Sequence, residues 1–159
     1  MYTHIYIMSP PTVWGPPVWT LFHTLSIKLN EQYFVAVYPS LFNLIKIICK
    51  QLPCPYCAED ATKFLNKINI QKLKEKQDLV NLLYIFHNYV NKKKNKPFFN
   101  SQDVTDRYKN LNLVNVVNNF IRVYGNNSGN MRTISDSFQR QIIIKELKRW
   151  LKKNIRVFL

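Results

Sequence analysis

Leu52-Pro53-Cys54-Pro55-Tyr56-Cys57-Ala58-Glu59-Asp60 is the stretch whose reading decides the fold. Two thiols separated by two residues in a small chain make either a metal knuckle or a redox pair. A second CxxC, which a four-thiolate zinc site would need, is absent. Cys49, Cys54 and Cys57 with one histidine leave a Cys3His zinc site as a rival. Pro55 suits the first position of a helix, where its missing N–H costs nothing. That places Cys54 at the N-cap and Cys57 in the first turn, where exposed N–H groups and the helix dipole favour a thiolate. Glu59 and Asp60 follow, as acidic residues should near the positive end of a helix.

The residues before this stretch argue against a thioredoxin-like fold. Leu41, Leu44, Ile45, Ile48, Cys49 and Leu52 form one helical stripe over about 37–51, which Pro53 ends. A glutaredoxin, the nearest enzymatic alternative, needs a β-strand before its CxxC and a cis-proline loop after it; neither pattern is present. Cys49 on the stripe reads as a buried structural thiol.

Helical periodicity continues in both directions. Val18, Leu21, Phe22, Leu25 and Leu29 predict a helix over 15–30, with Pro16 and Pro17 in its first turn. The lysine-rich 66–77 reads as a loop. Leu79, Leu82, Leu83, Phe86 and Val90 predict a helix over 78–92. Ser101 or Asp103 could cap a short fifth helix reaching Tyr108. Leu113, Val116, Val117, Phe120, Ile121 and Tyr124 have helical spacing, although their β-branching leaves a strand open. Gly125-Asn126-Asn127-Ser128-Gly129-Asn130 reads as a flexible linker. The last helix, about 136–155, carries Ile143, Leu147, Trp150 and Leu151 on one face and Lys145, Lys148, Arg149, Lys152 and Arg156 on the other. The class is all-α. The organisation is a domain over 1–124, a linker over 125–131 and a basic amphipathic extension over 132–159.

Composition sets limits. The chain has 159 residues, 47% hydrophobic, which is enough for a real core. No apolar run approaches the ~20 residues of a membrane span, and the first residues show no secretory signal. Three cysteines are too few for a secreted disulfide scaffold and suggest a reducing compartment. A net charge of +14 favours acidic partners such as nucleic acid, an anionic membrane or a phosphorylated cofactor. It leaves a zinc-containing basic nucleic-acid-binding module as the non-enzymatic alternative. An Asn-, Ile-, Lys- and Tyr-rich composition makes single lysines weak signals.

Trp19 and His23 are four residues apart and therefore share a helix face. His87 and Asn91 repeat that spacing, with Asn88 and Tyr84 nearby. Two such helices could sandwich a flat ring such as adenine or isoalloxazine. Lysines 92–94 and Lys96 could neutralise a pyrophosphate.

These motifs in this order, Trp14-Gly15…Trp19…His23, Pro53-Cys54-Pro55-Tyr56-Cys57-Ala58-Glu59-Asp60 and His87-Asn88-Tyr89-Val90-Asn91-Lys92 with Lys96-Pro97-Phe98, resemble the Erv/ALR-type FAD-linked sulfhydryl oxidases, most of all their compact viral members. The resemblance covers about residues 14–108. It implies a four-helix bundle around FAD with a short fifth helix, usually a homodimer; residues 109–159, with the C-terminal helical extension, lie outside it. It implies that Cys57 is the flavin-proximal thiol, able to form a charge-transfer thiolate and a C4a adduct, and that Cys54 exchanges with the substrate. Trp19 and His23 would line the flavin. His87, Asn88 and Asn91 would hold the adenosine, with Val90 beside it and Lys96 near the phosphates. Trp14, Gly15, Tyr84, Lys94, Phe98 and Tyr108 complete the cofactor-binding set by position, Tyr108 standing where the family commonly has tryptophan. No metal is implied.

The implied activity is oxidation of substrate dithiols to disulfides, with electrons passing through FAD to O2 and giving hydrogen peroxide. The implied partners are a protein dithiol or small redox protein and molecular oxygen, and the implied setting is host cytoplasm or virion. The chain departs from the pattern in lacking the later cysteine pair that staples the fifth helix, and in placing Lys94-Asn95 where Leu-Gly is usual. The extension's apolar stripe needs a cover, expected on the chain's own dimer. Its basic face would suit an acidic partner.

Overall fold

A computed structural model describes residues 11–126 and 131–158 of the chain, the side chains of 131–134 excepted. Every described element is a helix, so the chain is all-α: α1 (Pro11–Lys28), α2 (Phe34–Lys50), α3 (Pro55–Asn66), α4 (Lys76–Lys93), α5 (Ser101–Tyr108), α6 (Leu113–Tyr124) and α7 (Met131–Asn154). Short 3₁₀ turns cover Glu31–Tyr33, Ile70–Lys72 and Ile155–Phe158. The strand alternative for 111–124 and the thioredoxin-like alternative are thereby removed.

α1 is the central element. It packs against α4, α5 and α6, while α2 packs against α3 and α7. Leu21, Phe22 and Leu25 of α1, Phe34, Leu41 and Ile45 of α2, Leu79, Leu83 and Phe86 of α4, and Phe120 and Tyr124 of α6 belong to one buried cluster. Each such side chain contributes roughly 1.5–3 kcal/mol by leaving water.

Several expectations are corrected. α1 is already helical at Pro11, the first described residue, so Pro16 and Pro17 lie inside the helix and not in its first turn. Each lacks the N–H that would bond four residues back, leaving the carbonyls of Thr12 and Val13 without that partner. The 66–77 segment is not a continuous loop: α3 runs to Asn66, Asn69 caps the turn at Ile70–Lys72, and α4 starts at Lys76. The cap of α5 is Asn100, whose side chain accepts from the Gln102 N–H, and not Ser101 or Asp103. By length and composition Glu31–Lys50 is long and apolar enough to cross a membrane, contrary to the sequence expectation. It reads that way because α2 buries Phe34, Val37, Leu41, Leu44, Ile45, Ile48 and Cys49 in the core.

The end of α4 explains Lys94-Asn95. Asn95 has φ 53, the left-handed conformation in which asparagine substitutes for glycine. Lys96 N–H donates to the Asn91 carbonyl at 2.8 Å and Asn95 N–H to the Lys92 carbonyl at 3.2 Å, the two bonds of a Schellman cap. The cap turns the chain so that Lys96–Phe99 runs back along α4.

Residues 127–130 of the predicted linker fall outside the described residues. Gly125 caps α6 and is a point of close packing: a Cβ there would meet Gln141 Nε2 at 2.8 Å and Ile144 Cδ1 at 2.9 Å. α7 is covered by the chain itself and needs no second copy. Ile143, Ile144, Leu147 and Leu151 enter the common core, as does Phe158 beyond the helix. Trp150 Nε1 donates to Ser40 Oγ at 2.8 Å, and Asn30 N–H donates to the Val157 carbonyl at 2.8 Å.

Candidate functional site

Cys54 is the N-cap of α3 and Pro55 its first residue; the Cys57 N–H donates to Cys54 Sγ at 3.3 Å. Both cysteines are free thiols of intermediate exposure, and Tyr56 between them is 78% exposed. Pro55 and Tyr56 therefore face outward, Cys54 is half-buried outside the cleft, and Cys57, further into the first turn, lines a cleft between α1 and α4.

That cleft has two adjoining lobes sharing Gly15, Trp19, Val90 and Lys94. The thiol lobe, about 160 Å³, is walled by Trp14, Val18, Phe22, Cys49, Leu52, Cys57, Asp60, Phe86 and Lys93. The outer lobe, about 660 Å³, is walled by Thr20, His87, Asn91, Lys96, Phe98, Phe99, Arg107 and Tyr108. The outer volume falls in the range of ligand pockets, roughly 300–1,000 Å³. One end is apolar, aromatic and thiol-bearing; the other is cationic.

Ten of the residues chosen from sequence border this cleft: Trp14, Gly15, Trp19, Cys57, His87, Val90, Asn91, Lys94, Lys96 and Phe98, with Tyr108 as an eleventh. Three do not. His23 is fully buried behind the wall, its Nε2 and His87 Nδ1 3.0 Å apart and its ring 4.9 Å from that of Tyr108. Asn88 ties down the returning chain, its Nδ2 donating to the Phe99 carbonyl at 3.2 Å and its Oδ1 accepting from the Phe99 N–H. Tyr84 packs edge-on against Phe99. Nor do the two ring-bearing helices leave a slot between their rings. Trp19 and His87 stack on each other at 4.1 Å and 8°, so a flat group has its room beside that stack.

The sequence reading missed Arg107, Phe99 and Asp60 at the cleft, and offered Lys93 only as a pyrophosphate contact. Arg107 stands alone on α5 with no motif to mark it, and Phe99 becomes a wall only after the cap at Asn95 turns the chain. Asp60, one turn after Cys57, bonds Lys93 Nζ at 2.9 Å; helical spacing showed the first half of that relation but not its cross-helix partner.

The electrostatics correct one expectation. The Cys57 thiol is pushed up to about 11, not down, because burial in the apolar lobe outweighs its place in the first turn. The Cys54 side chain also raises it, the Lys94 ammonium pulls it down, and Asp60 adds a smaller upward push. Burial drives Cys49 well above the ordinary thiol range, as expected of a structural thiol. Among the described residues no cluster of three or more His, Cys, Asp or Glu could hold a metal ion.

Both imidazoles are held neutral. His23 is lowered from 6.5 to about 3 by burial, then by His87 and Arg107. His87 is lowered to about 3 by burial, then by Arg107 and Lys96. Each neutral ring has one N–H, so their shared bond uses one donor and one acceptor, and His23 Nδ1 is left without a hydrogen-bond partner. The unfolded chain protonates these rings below pH 6.5, the folded chain only near pH 3, so protons favour unfolding. Stability is expected to be full above pH 6.5 and to fall as pH drops towards 3, with a limit of about 1.4 kcal/mol per pH unit for the fully buried His23. Thermal melts between about pH 7 and pH 4 measure this. A melting temperature that stays flat across that window would contradict the neutral buried pair.

The Erv1 / Alr family model matches residues 16–109. The 096R protein of Invertebrate iridescent virus 3, provisionally named an FAD-linked sulfhydryl oxidase, is 26% identical over 100 residues, covering 62% of this chain and 68% of that protein. The mitochondrial FAD-linked sulfhydryl oxidase ERV1 of Saccharomyces cerevisiae is 28% identical over 104 residues, 64% of this chain and 54% of that one. The FAD-linked sulfhydryl oxidase of African swine fever virus (isolate Tick/Malawi/Lil 20-1/1983) is 28% identical over 106 residues, 66% of this chain and 84% of that one. No solved structure matches.

Proposed function

From the premise that this chain belongs to the Erv1/Alr family, we propose that it is an FAD-dependent thiol oxidase that makes disulfides in substrate dithiols through Cys54 and Cys57. The observation that carries this reading is the cleft itself, with Cys57 at its apolar end and Lys96 and Arg107 at its cationic end.

The residues present fit a flavin dinucleotide. Gly15 borders both lobes, and a Cβ there would meet nothing within 4 Å, so the missing side chain leaves open space. Trp14, Trp19, Phe22 and Val90 offer apolar and aromatic walls for a ring system, and Asn91 an amide. Lys94, Lys96 and Arg107 offer charge to a pyrophosphate. Bound FAD would supply the two-electron acceptor that no side chain provides, with O2 as the final acceptor and hydrogen peroxide as product.

The chain's own thiols do the exchange. A substrate thiolate attacks Cys54 Sγ of the oxidised pair, the S–S bond to Cys57 breaks, and Cys57 takes its electron pair. The second substrate thiolate then attacks the substrate sulfur of the mixed disulfide and releases Cys54. The substrate leaves as a disulfide and the pair holds its two electrons and two protons. The place of Cys54 outside the cleft beside exposed Tyr56, with Cys57 on the cleft wall, supports this division. Neutral His87 on the cleft wall adds no charge against Lys96 and Arg107.

Purified protein is expected to be yellow, to release FAD on denaturation and to oxidise dithiothreitol with consumption of O2. Gly15→Leu separates the cleft from the fold. A leucine there fills the shared neck of the two lobes, while replacing glycine inside a helix gains roughly 0.5–1 kcal/mol. Flavin content should fall at least about tenfold, since a filled cavity excludes its ligand, with an unchanged or raised melting temperature. Full flavin occupancy in Gly15→Leu would place the cofactor elsewhere.

A further inference from the structure

Lys94 differs from its neighbours at the end of α4. Lys92, Lys93 and Lys96 are exposed, whereas Lys94 is half-buried and borders both lobes. Its Nζ lies 5.5 Å from the centre of the Trp14 ring, itself buried, so packing holds the ammonium at the thiol lobe.

The charged and titratable groups facing Cys57 are few. Asp60 comes from α3 one turn on, Cys54 from the helix cap, Lys93 and Lys94 from α4, and Cys49 from α2 as a neutral thiol. Asp60 is taken up by Lys93, whose Nζ lies 2.9 Å from Oδ1 and 5.1 Å from the centre of the Tyr89 ring. No ion pair among the described residues involves Lys94. Its charge is therefore the uncompensated one beside a thiol that must become a thiolate each time the Cys54–Cys57 pair is reduced.

We propose that Lys94 stabilises the Cys57 thiolate across the thiol lobe, and that the Lys93–Asp60 pair keeps Asp60 from cancelling it. Lys94 is thus a positioning charge for the sulfur and not only a candidate phosphate contact. The inference deepens the thiol oxidase reading and rests on it for its purpose, while its test does not depend on turnover. Burial raises the Cys57 pKa and Lys94 is the group that opposes the rise, which agrees in sign.

The test uses the full-length chain carrying Cys54→Ser, in which Cys57 cannot form its disulfide. The rate of Cys57 alkylation by iodoacetamide is followed against pH by mass spectrometry of its peptide, with flavin content measured alongside. Thiolate is the reacting form, so below the pKa the rate follows its fraction. Adding Lys94→Met should slow alkylation about 3- to 10-fold and move the midpoint upward, roughly half to one pH unit. Lys94→Arg should restore the parent profile. Asp60→Asn should accelerate alkylation and lower the midpoint, opposite in sign to Lys94→Met, with an unchanged melting temperature to show that the thiol has not been exposed by unfolding. Lys93→Met should slow it more when Asp60 is present than with Asp60→Asn, since only in the first case does it also free a carboxylate. Superimposed profiles for Lys94→Met and its parent overturn the role of Lys94. Equal effects of Lys93→Met in both backgrounds overturn the role of the pair. Flavin-free protein with the profiles ordered as expected would sink the oxidase reading and leave this one standing; flavin-bearing protein with superimposed profiles would do the reverse.

Discussion

Cys57→Ser is expected to lower the rate of dithiol oxidation by about a thousandfold or more, since residues acting as one redox unit fail together when either is lost. Serine at this position borders the same lobe but cannot form or break a disulfide. Cys54→Ser should be equally inactive for a different reason: it removes the sulfur proposed to exchange with the substrate. Their structural consequences differ. Cys54 caps α3 by accepting the Cys57 N–H, and serine is a preferred residue for that position. Cys54→Ser should therefore keep the stability or raise it slightly, by a few tenths of a kcal/mol, read as an equal or slightly higher melting temperature. It also leaves Cys57 as a lone thiol in the cleft, so flavin-bearing Cys54→Ser should show the long-wavelength absorbance of a thiolate beside a flavin, and Cys57→Ser should not. Absorbance spectra and oxygen-electrode rates on the two variants decide the matter. Turnover near the parent rate in either variant would dismiss the CxxC as the redox centre, and long-wavelength absorbance in Cys57→Ser alone would reverse the assignment.

Removal of residues 126–159 is expected to abolish cooperative folding. Read from sequence alone, the cofactor motifs end near Tyr108 and the tail looks dispensable for binding. In the structure Ile143, Ile144, Leu147, Leu151 and Phe158 are all buried in the core shared with α1, α2, α4 and α6. Deleting one such side chain typically costs about 2–5 kcal/mol, and a domain's whole stability is roughly 5–15 kcal/mol. Losing five together, with the Trp150–Ser40 and Val157–Asn30 bonds, exceeds that margin. The truncated chain should be insoluble or show no sigmoidal melt. Leu147→Ala is the milder form of the same experiment, expected to cost about 2–5 kcal/mol, or roughly 5–15 °C in melting temperature. Exposed Lys148→Ala should stay within about 0.5 kcal/mol of the parent. A truncated protein with a cooperative melt near that of the full chain would show that the tail stabilises nothing.

The sequence by itself determined the all-helical class and the place of the CxxC at the start of a helix. Local chemistry explains this: the i, i+3, i+4 spacing of apolar residues, the proline after Cys54 and the order of the aromatic, CxxC and His-Asn motifs all act within a few residues or leave a fixed imprint on the chain. Only the tertiary structure decided that His23 lies behind the cleft wall, that Asn88 braces the Phe99 backbone, that Trp19 and His87 stack face to face, and that Asp60 meets Lys93. Each of these depends on how α1, α3 and α4 are set against one another, and that setting follows from the packing of whole helices around a shared core. The same holds for α7. Its stripe announced that something must cover it, and a stripe of one helix carries no record of which surface that is; the answer, α2 of its own chain, is fixed by side-chain complementarity at a distance of about a hundred residues, as the bond from Trp150 to Ser40 across |i−j| = 110 shows.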